Sequence, residues 1–68
     1  MRGAEMVAIA LTHGWADAGP GANHRYILKR PGAPRPIPVR DRLLNRFEAQ
    51  GILKQLDIPK EDWPQKLQ

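Results

Sequence analysis

The 68-residue chain has no cysteine, so neither disulfides nor thiolate metal sites can supplement its core, a composition that fits a reducing cytoplasm. It has no serine, which removes the commonest hydroxyl nucleophile. Its longest apolar run, Met6 to Leu11, is far shorter than the about 20 residues that a membrane-crossing helix needs. There is no glycine-rich phosphate loop and no zinc-ligand spacing, and two histidines, His13 and His24, are too few for a metal site. Neither metal nor cofactor is therefore expected. Tyr26, Phe47, Trp15 and Trp63 are too scattered to form a base-stacking platform, and no repeat or low-complexity tract occurs.

What the chain does carry is positive charge in one place. From Arg25 to Arg46 stand Arg25, Lys29, Arg30, Arg35, Arg40, Arg42 and Arg46 against Asp41 alone, a net charge of +6 in a chain whose total is +4, so the remainder sums to −2. Clustered cations favour a polyanion, because each one placed on a phosphate releases condensed counterions, and nucleic acid is the commonest such partner. A solvated basic face that keeps a small protein soluble is the plain alternative. At this length the chain is expected to form a single domain over residues 1–68 with a small core.

The local patterns predict α-β-β-β-α. Met6, Val7, Ile9, Ala10 and Leu11 recur near the helical period and Gly14 follows, giving a helix over about 3–13 with His13 in its last turn, where the helix dipole favours a cation. A short strand over 15–18 leads through Gly19-Pro20-Gly21 into a second over 23–30, with His24, Tyr26 and Leu28 on one face and Arg25, Ile27 and Lys29 on the other. Pro31-Gly32 suits the centre of a type II turn. Ile37 and Val39 then mark a third strand that Pro34, Pro36 and Pro38 confine to a sheet edge. Asn45 and Glu48 form a capping box, with Leu44 and Ala49 as its hydrophobic staple, and Ala49, Ile52, Leu53 and Leu56 give the second helix a buried stripe. Gly51 within that helix suggests close packing against a neighbour, with tolerated slack as the plain alternative. Past Ile58-Pro59, residues 60–68 are expected to add one short helical turn, with Trp63 either pinning this tail to the body or exposed for a partner. The fold class expected is α+β, a three-stranded antiparallel sheet covered on one face by two helices.

Three landmarks resemble the HicA toxins, the mRNA interferase halves of bacterial toxin–antitoxin pairs. They are Leu11 with Gly14-Trp15, then Gly21-Ala22-Asn23-His24 followed by Tyr26, and Ile52-Leu53-Lys54-Gln55 followed by Leu56-Asp57-Ile58. The likeness spans about residues 6–58, with 59–68 a C-terminal extension, and its last landmark is the most specific. It implies a fold similar to the double-stranded-RNA-binding domain, a metal-independent endoribonuclease acting on mRNA in the cytoplasm, and inhibition by a HicB-type antitoxin. The family's usual motif is Gly-Ser-His-His with the first histidine catalytic, and Asn23 stands in that slot here. Some members also read Asn-His, which places the chemistry on His24. Where the family often has a histidine near Pro38, this chain has Val39-Arg40.

Cutting RNA without a metal needs a base for the ribose 2′-hydroxyl, a cation for the phosphorane and an acid for the leaving 5′-oxygen. Histidine titrates near neutrality and arginine offers a bidentate fork. His24 is therefore the candidate general base or acid, with Asn23, Arg25, Lys29 and Arg40 as the RNA-phosphate ligands. Strand alternation opposes this, since it turns His24 toward the helices with Tyr26 and Leu28, as an ordinary core histidine, unless a bulge or twist near Gly21 re-aims it. Two other readings stay open: a catalytically silent RNA-binding module that reads shape and 2′-hydroxyls, and an interaction protein that docks an acidic partner through Trp63 and the basic strand.

Overall fold

The computed structural model describes residues 1–21 and 23–68, so Ala22 of the Gly21–His24 landmark lies outside the described residues. Helix α1 (Gly3–Leu11) buries Gly3, Met6, Val7 and Ala10, a single stripe at the helical period. Glu5 accepts the Arg2 N–H at 3.0 Å and so closes the first turn. The helix stops two residues short of the expected end because Thr12 folds back on the last turn. Its N–H and hydroxyl both donate to Ile9 O, at 3.1 and 2.7 Å, and Gly14 at φ +85° then turns the chain so that Trp15 N–H reaches Ala10 O at 3.2 Å.

Strands β1 (Ala16–Asp17), β2 (Tyr26–Lys29) and β3 (Ile37–Val39) form an antiparallel sheet in the order β1-β2-β3. Tyr26 lies opposite Val39 and Leu28 opposite Ile37, so these four share the core face, whereas Ile27 and Pro38 face the other way. The proline-bearing β3 sits at an edge, as the missing donors require. Pro31-Gly32 makes the expected turn, with Gly32 at φ +86° and Ala33 N–H bonded to Arg30 O at 3.1 Å.

Helix α2 (Arg46–Gln55) begins with the capping box intact: Asn45 Oδ1 accepts the Glu48 N–H at 2.8 Å and Glu48 Oε1 accepts the Asn45 N–H at 3.2 Å. Ala49, Leu53 and Leu56 are buried and Ile52 half-buried. Gly51, expected to sit in close packing, is exposed, and a Cβ there would meet nothing within 4 Å. The helix is released by Asp57, a non-glycine residue at φ 58°. Instead of one helical turn the tail forms two 3₁₀ turns, Lys60–Asp62 and Gln65–Leu67.

One hydrophobic cluster joins Met6, Val7, Ala10, Trp15, Leu28, Val39, Leu44, Leu53, Leu56, Trp63 and Leu67 among others, so both helices, the sheet and the tail close over the same face. The two indoles serve it doubly. Trp15 Nε1 donates to Leu56 O at 3.0 Å and Trp63 Nε1 donates to Ile58 O at 2.9 Å, which pairs carbonyls at and just beyond the α2 C-terminus while burying both rings. Trp63 therefore pins the tail and is not an exposed anchor for a partner. The radius of gyration, 11.0 Å, equals the about 11 Å that compact packing gives a chain of this length.

Candidate nucleic-acid interface

The hairpin between β1 and β2 carries the residues that the sequence singles out. Ala18 N–H donates to Ile27 O at 2.8 Å and Gly21 N–H donates to His24 O at 2.9 Å, so the chain reverses between Gly21 and His24. Strict alternation from the Ala18–Ile27 pair would turn Gly21 away from Ile27. A Cβ built on Gly21 would instead stand 2.9 Å from Ile27 Cδ1. The alternation is thus lost between Ala18 and Gly21, where Gly19 takes φ +95°. The missing side chain at Gly21 lets Ile27 pack beneath the loop on the helix-free face.

His24 stands half-buried at this tip, two residues ahead of β2, which starts at Tyr26. The ring hydrogen bonds made by histidine among the described residues all belong to His13.

Asn23 and Arg25 are exposed on either side of His24, and the Arg25 guanidinium lies 5.1 Å from the centroid of the Tyr26 ring. Arg40 is exposed one residue past β3. Continuing the Tyr26–Val39 register by one residue sets Arg25 opposite Arg40. Like charges placed so are unfavourable by themselves, and an anion between them reverses the sign. Arg40 is held from behind: Gly3 packs directly on its backbone, and Gly3 N–H donates to Arg42 O at 2.9 Å. Lys29 is exposed at the far end of β2, about 13 Å beyond Arg25 at the usual rise per strand residue. The structure therefore gathers Asn23, His24, Arg25 and Arg40 at one end of the sheet and leaves Lys29 at the other.

Of the seven cations from Arg25 to Arg46, Arg42 is paired with Glu48, and among the described residues no carboxylate pairs the other six. Glu48 is held below the usual carboxylate range first by the Arg42 guanidinium and then by the Asn45 N–H. Among the described residues no three histidine, cysteine or acidic side chains stand close enough to hold a metal ion. His13 lies elsewhere. Its Nδ1 faces Ile9 O at 3.1 Å and its Nε2 faces Asp62 Oδ2 at 3.2 Å, so both nitrogens meet acceptors and the protonated ring is favoured, first by the backbone carbonyl and then by the carboxylate.

One feature escaped the sequence reading. At the end of the sheet away from His24 an open groove of about 520 Å³ is bounded by Trp15, Arg30, Arg35, Pro36, Ile37 and Gln55, with the Arg30 guanidinium 4.5 Å from the Trp15 ring centroid. The only sequence signal was parity, since Arg30 follows Leu28 by two and so turns to the same side.

Comparison of the chain with protein-family models, with curated proteins and with solved structures found no match.

Proposed function

We propose that this chain is a metal-independent endoribonuclease that cleaves mRNA, the toxin of a toxin–antitoxin pair, acting in the cytoplasm and neutralised by a HicB-type antitoxin. The observation that supports the reading is the half-buried position of His24 at the tip of the β1–β2 hairpin, at the same end of the sheet as Arg25 and Arg40, which no carboxylate pairs among the described residues. In the proposed reaction His24 accepts the ribose 2′-hydroxyl proton as the 2′-oxygen attacks phosphorus. The 5′-oxygen departs, taking its proton from a solvent water, and a 2′,3′-cyclic phosphate remains, while His24 returns its proton to solvent. Arg25 and Arg40 bind the non-bridging oxygens and stabilise the phosphorane. Asn23 donates its amide to the same phosphate. Lys29 serves the strand further along, because it stands too far down β2 to share the scissile phosphate with His24.

The test is His24→Ala. Growth arrest on expression and cleavage of a labelled transcript in chelator both disappear, while the circular dichroism spectrum stays native. A His24→Ala protein that still cuts removes His24 from the mechanism. The second reading, a catalytically silent RNA-binding module, is favoured by Asn23 in the slot where the resembled family carries its histidine. Salt-sensitive RNA binding by the wild-type chain with no cleavage would select it.

A further inference from the structure

We propose that the groove at the β2–β3 end is a nucleotide subsite, which takes a single-stranded RNA residue several positions away from the one beside His24. The proposal deepens the RNA reading above and rests on it. Four observations converge on this ligand.

Arg30 is half-buried, with its guanidinium carbon 4.5 Å from the centroid of the Trp15 ring, whose own indole N–H is committed to Leu56 O at 3.0 Å. The cation–π contact holds the guanidinium at the groove wall before any ligand arrives. Guanidinium planes of this kind stack unpaired bases and bind phosphate at once. Arg35 adds a second cation, no carboxylate lines the groove, and neither arginine is ion-paired among the described residues. The wall between them is apolar, built by Pro36 and Ile37 with the neighbouring prolines, and so accepts a base rather than a bare inorganic ion. The volume of about 520 Å³ falls within the range of roughly 300–1,000 Å³ usual for small-ligand sites.

The edge itself argues against a peptide strand. Ile37 and Val39 face β2 in register with Leu28 and Tyr26, and the positions alternating with them are Pro36 and Pro38, which have no N–H. A strand added to β3 would find no donors there. From His24 to Arg30 the chain takes six residue steps, about 20 Å when extended. A stacked strand of about six nucleotides spans that distance at about 3.4 Å each. Lys29 stands on the way.

The test uses the full-length, ¹⁵N-labelled wild-type chain, since a mononucleotide carries no internucleotide bond to cut. Uridine 5′-monophosphate should move the Trp15 indole resonance and the amides of Arg30 to Val39, and leave the Trp63 indole in place. Uridine and inorganic phosphate should each bind at least tenfold more weakly than the nucleotide. Arg35→Gln, an exposed substitution that spares the core, should raise the nucleotide Kd about tenfold, as expected for one charge-assisted hydrogen bond. Arg30→Lys, which keeps the charge and loses the planar guanidinium, should weaken it as well. Shifts confined to other surfaces, no shift at saturating nucleotide, or displacement of the nucleotide by an acidic peptide that binds the groove more tightly would each overturn the proposal. Cleavage is scored separately: a wild-type chain that binds nucleotide in the groove and never cuts sinks the nuclease reading alone, whereas one that cuts with the groove silent sinks the subsite alone.

Discussion

Glycine-to-alanine is the same chemical change wherever it is made, and this fold predicts opposite outcomes at two helical positions. At Gly3 an added Cβ would come within 1.9 Å of Arg40 O and 3.0 Å of Arg40 C. Both are backbone atoms, so nothing can swing aside. The first turn of α1 must lift off β3, which strains the packing of Met6 and Val7 below it and stretches the 2.9 Å bond from Gly3 N–H to Arg42 O. Overpacking of this kind costs about 1–3 kcal/mol, and the lost hydrogen bond about 0.5–1.5 kcal/mol. A total of about 2–4 kcal/mol is a large share of the roughly 3–10 kcal/mol that holds a domain of this size together. At Gly51 nothing lies within 4 Å, and alanine there gains up to ~1 kcal/mol of helix propensity. Thermal melts by circular dichroism should therefore show Tm falling by at least about 8 °C for Gly3→Ala and rising by up to about 8 °C for Gly51→Ala. Because Gly3 seats the Arg40 backbone, RNA affinity measured well below either Tm should also fall for Gly3→Ala and hold for Gly51→Ala. Two variants that melt together, or a Gly3→Ala protein as stable as the wild type, would refute the packing of α1 on Arg40.

Two further outcomes follow from the helix ends. Asp57 holds a left-handed conformation at φ 58° just past α2, where its charge also meets the negative end of the helix dipole, so Asp57→Gly should stabilise the fold by about 0.5–1 kcal/mol, read as a higher Tm. His13 is raised above the ordinary histidine range by Ile9 O and Asp62. A raised folded pKa means that its contribution is full below about pH 6.5, the unfolded value, and is lost as pH climbs through the folded one. Wild-type Tm should accordingly decline across that window relative to His13→Gln, and identical pH profiles would show that the contact to Asp62 does not form.

Local devices were legible because each is written within a few residues. The Asn45–Glu48 box, the Ala49–Leu56 stripe and the Pro31-Gly32 turn each depend on spacings of one to seven positions and all are present, and Leu44 and Ala49, the expected staple, are both buried in the one core. The edge position of β3 was legible too, because proline removes a donor whatever surrounds it. Placement of the candidate site was not. The shape of the hairpin tip at which His24 stands depends on Gly19 entering positive φ and on Ile27 filling the space that Gly21 leaves, and no spacing in the sequence announces either. Gly51 left close packing and slack both open, because a glycine in a helix is equally consistent with either, and the structure shows the slack. The groove and the His13–Asp62 contact join residues far apart in the chain, the latter by 49 positions, and no periodicity announces such meetings.

The separation of charge that makes this surface basic has a structural cause. Glu5 is spent on the first turn of α1, Glu48 on the cap of α2 and on Arg42, Asp17 on the Gly19 N–H at 2.9 Å, and Asp62 on His13. Four of the seven acids are thus committed to caps, turns and one tail contact, and Asp41 is the only acid within the basic segment. Arg25, Lys29, Arg30, Arg35 and Arg40 are left without a carboxylate partner among the described residues. Exposed cations without counter-charges cost solubility nothing and gain most from a chain of phosphates, since every contact releases a counterion. The same capping bonds that let a 68-residue chain keep its helices therefore also concentrate the field that an RNA strand would follow from His24 to Arg30.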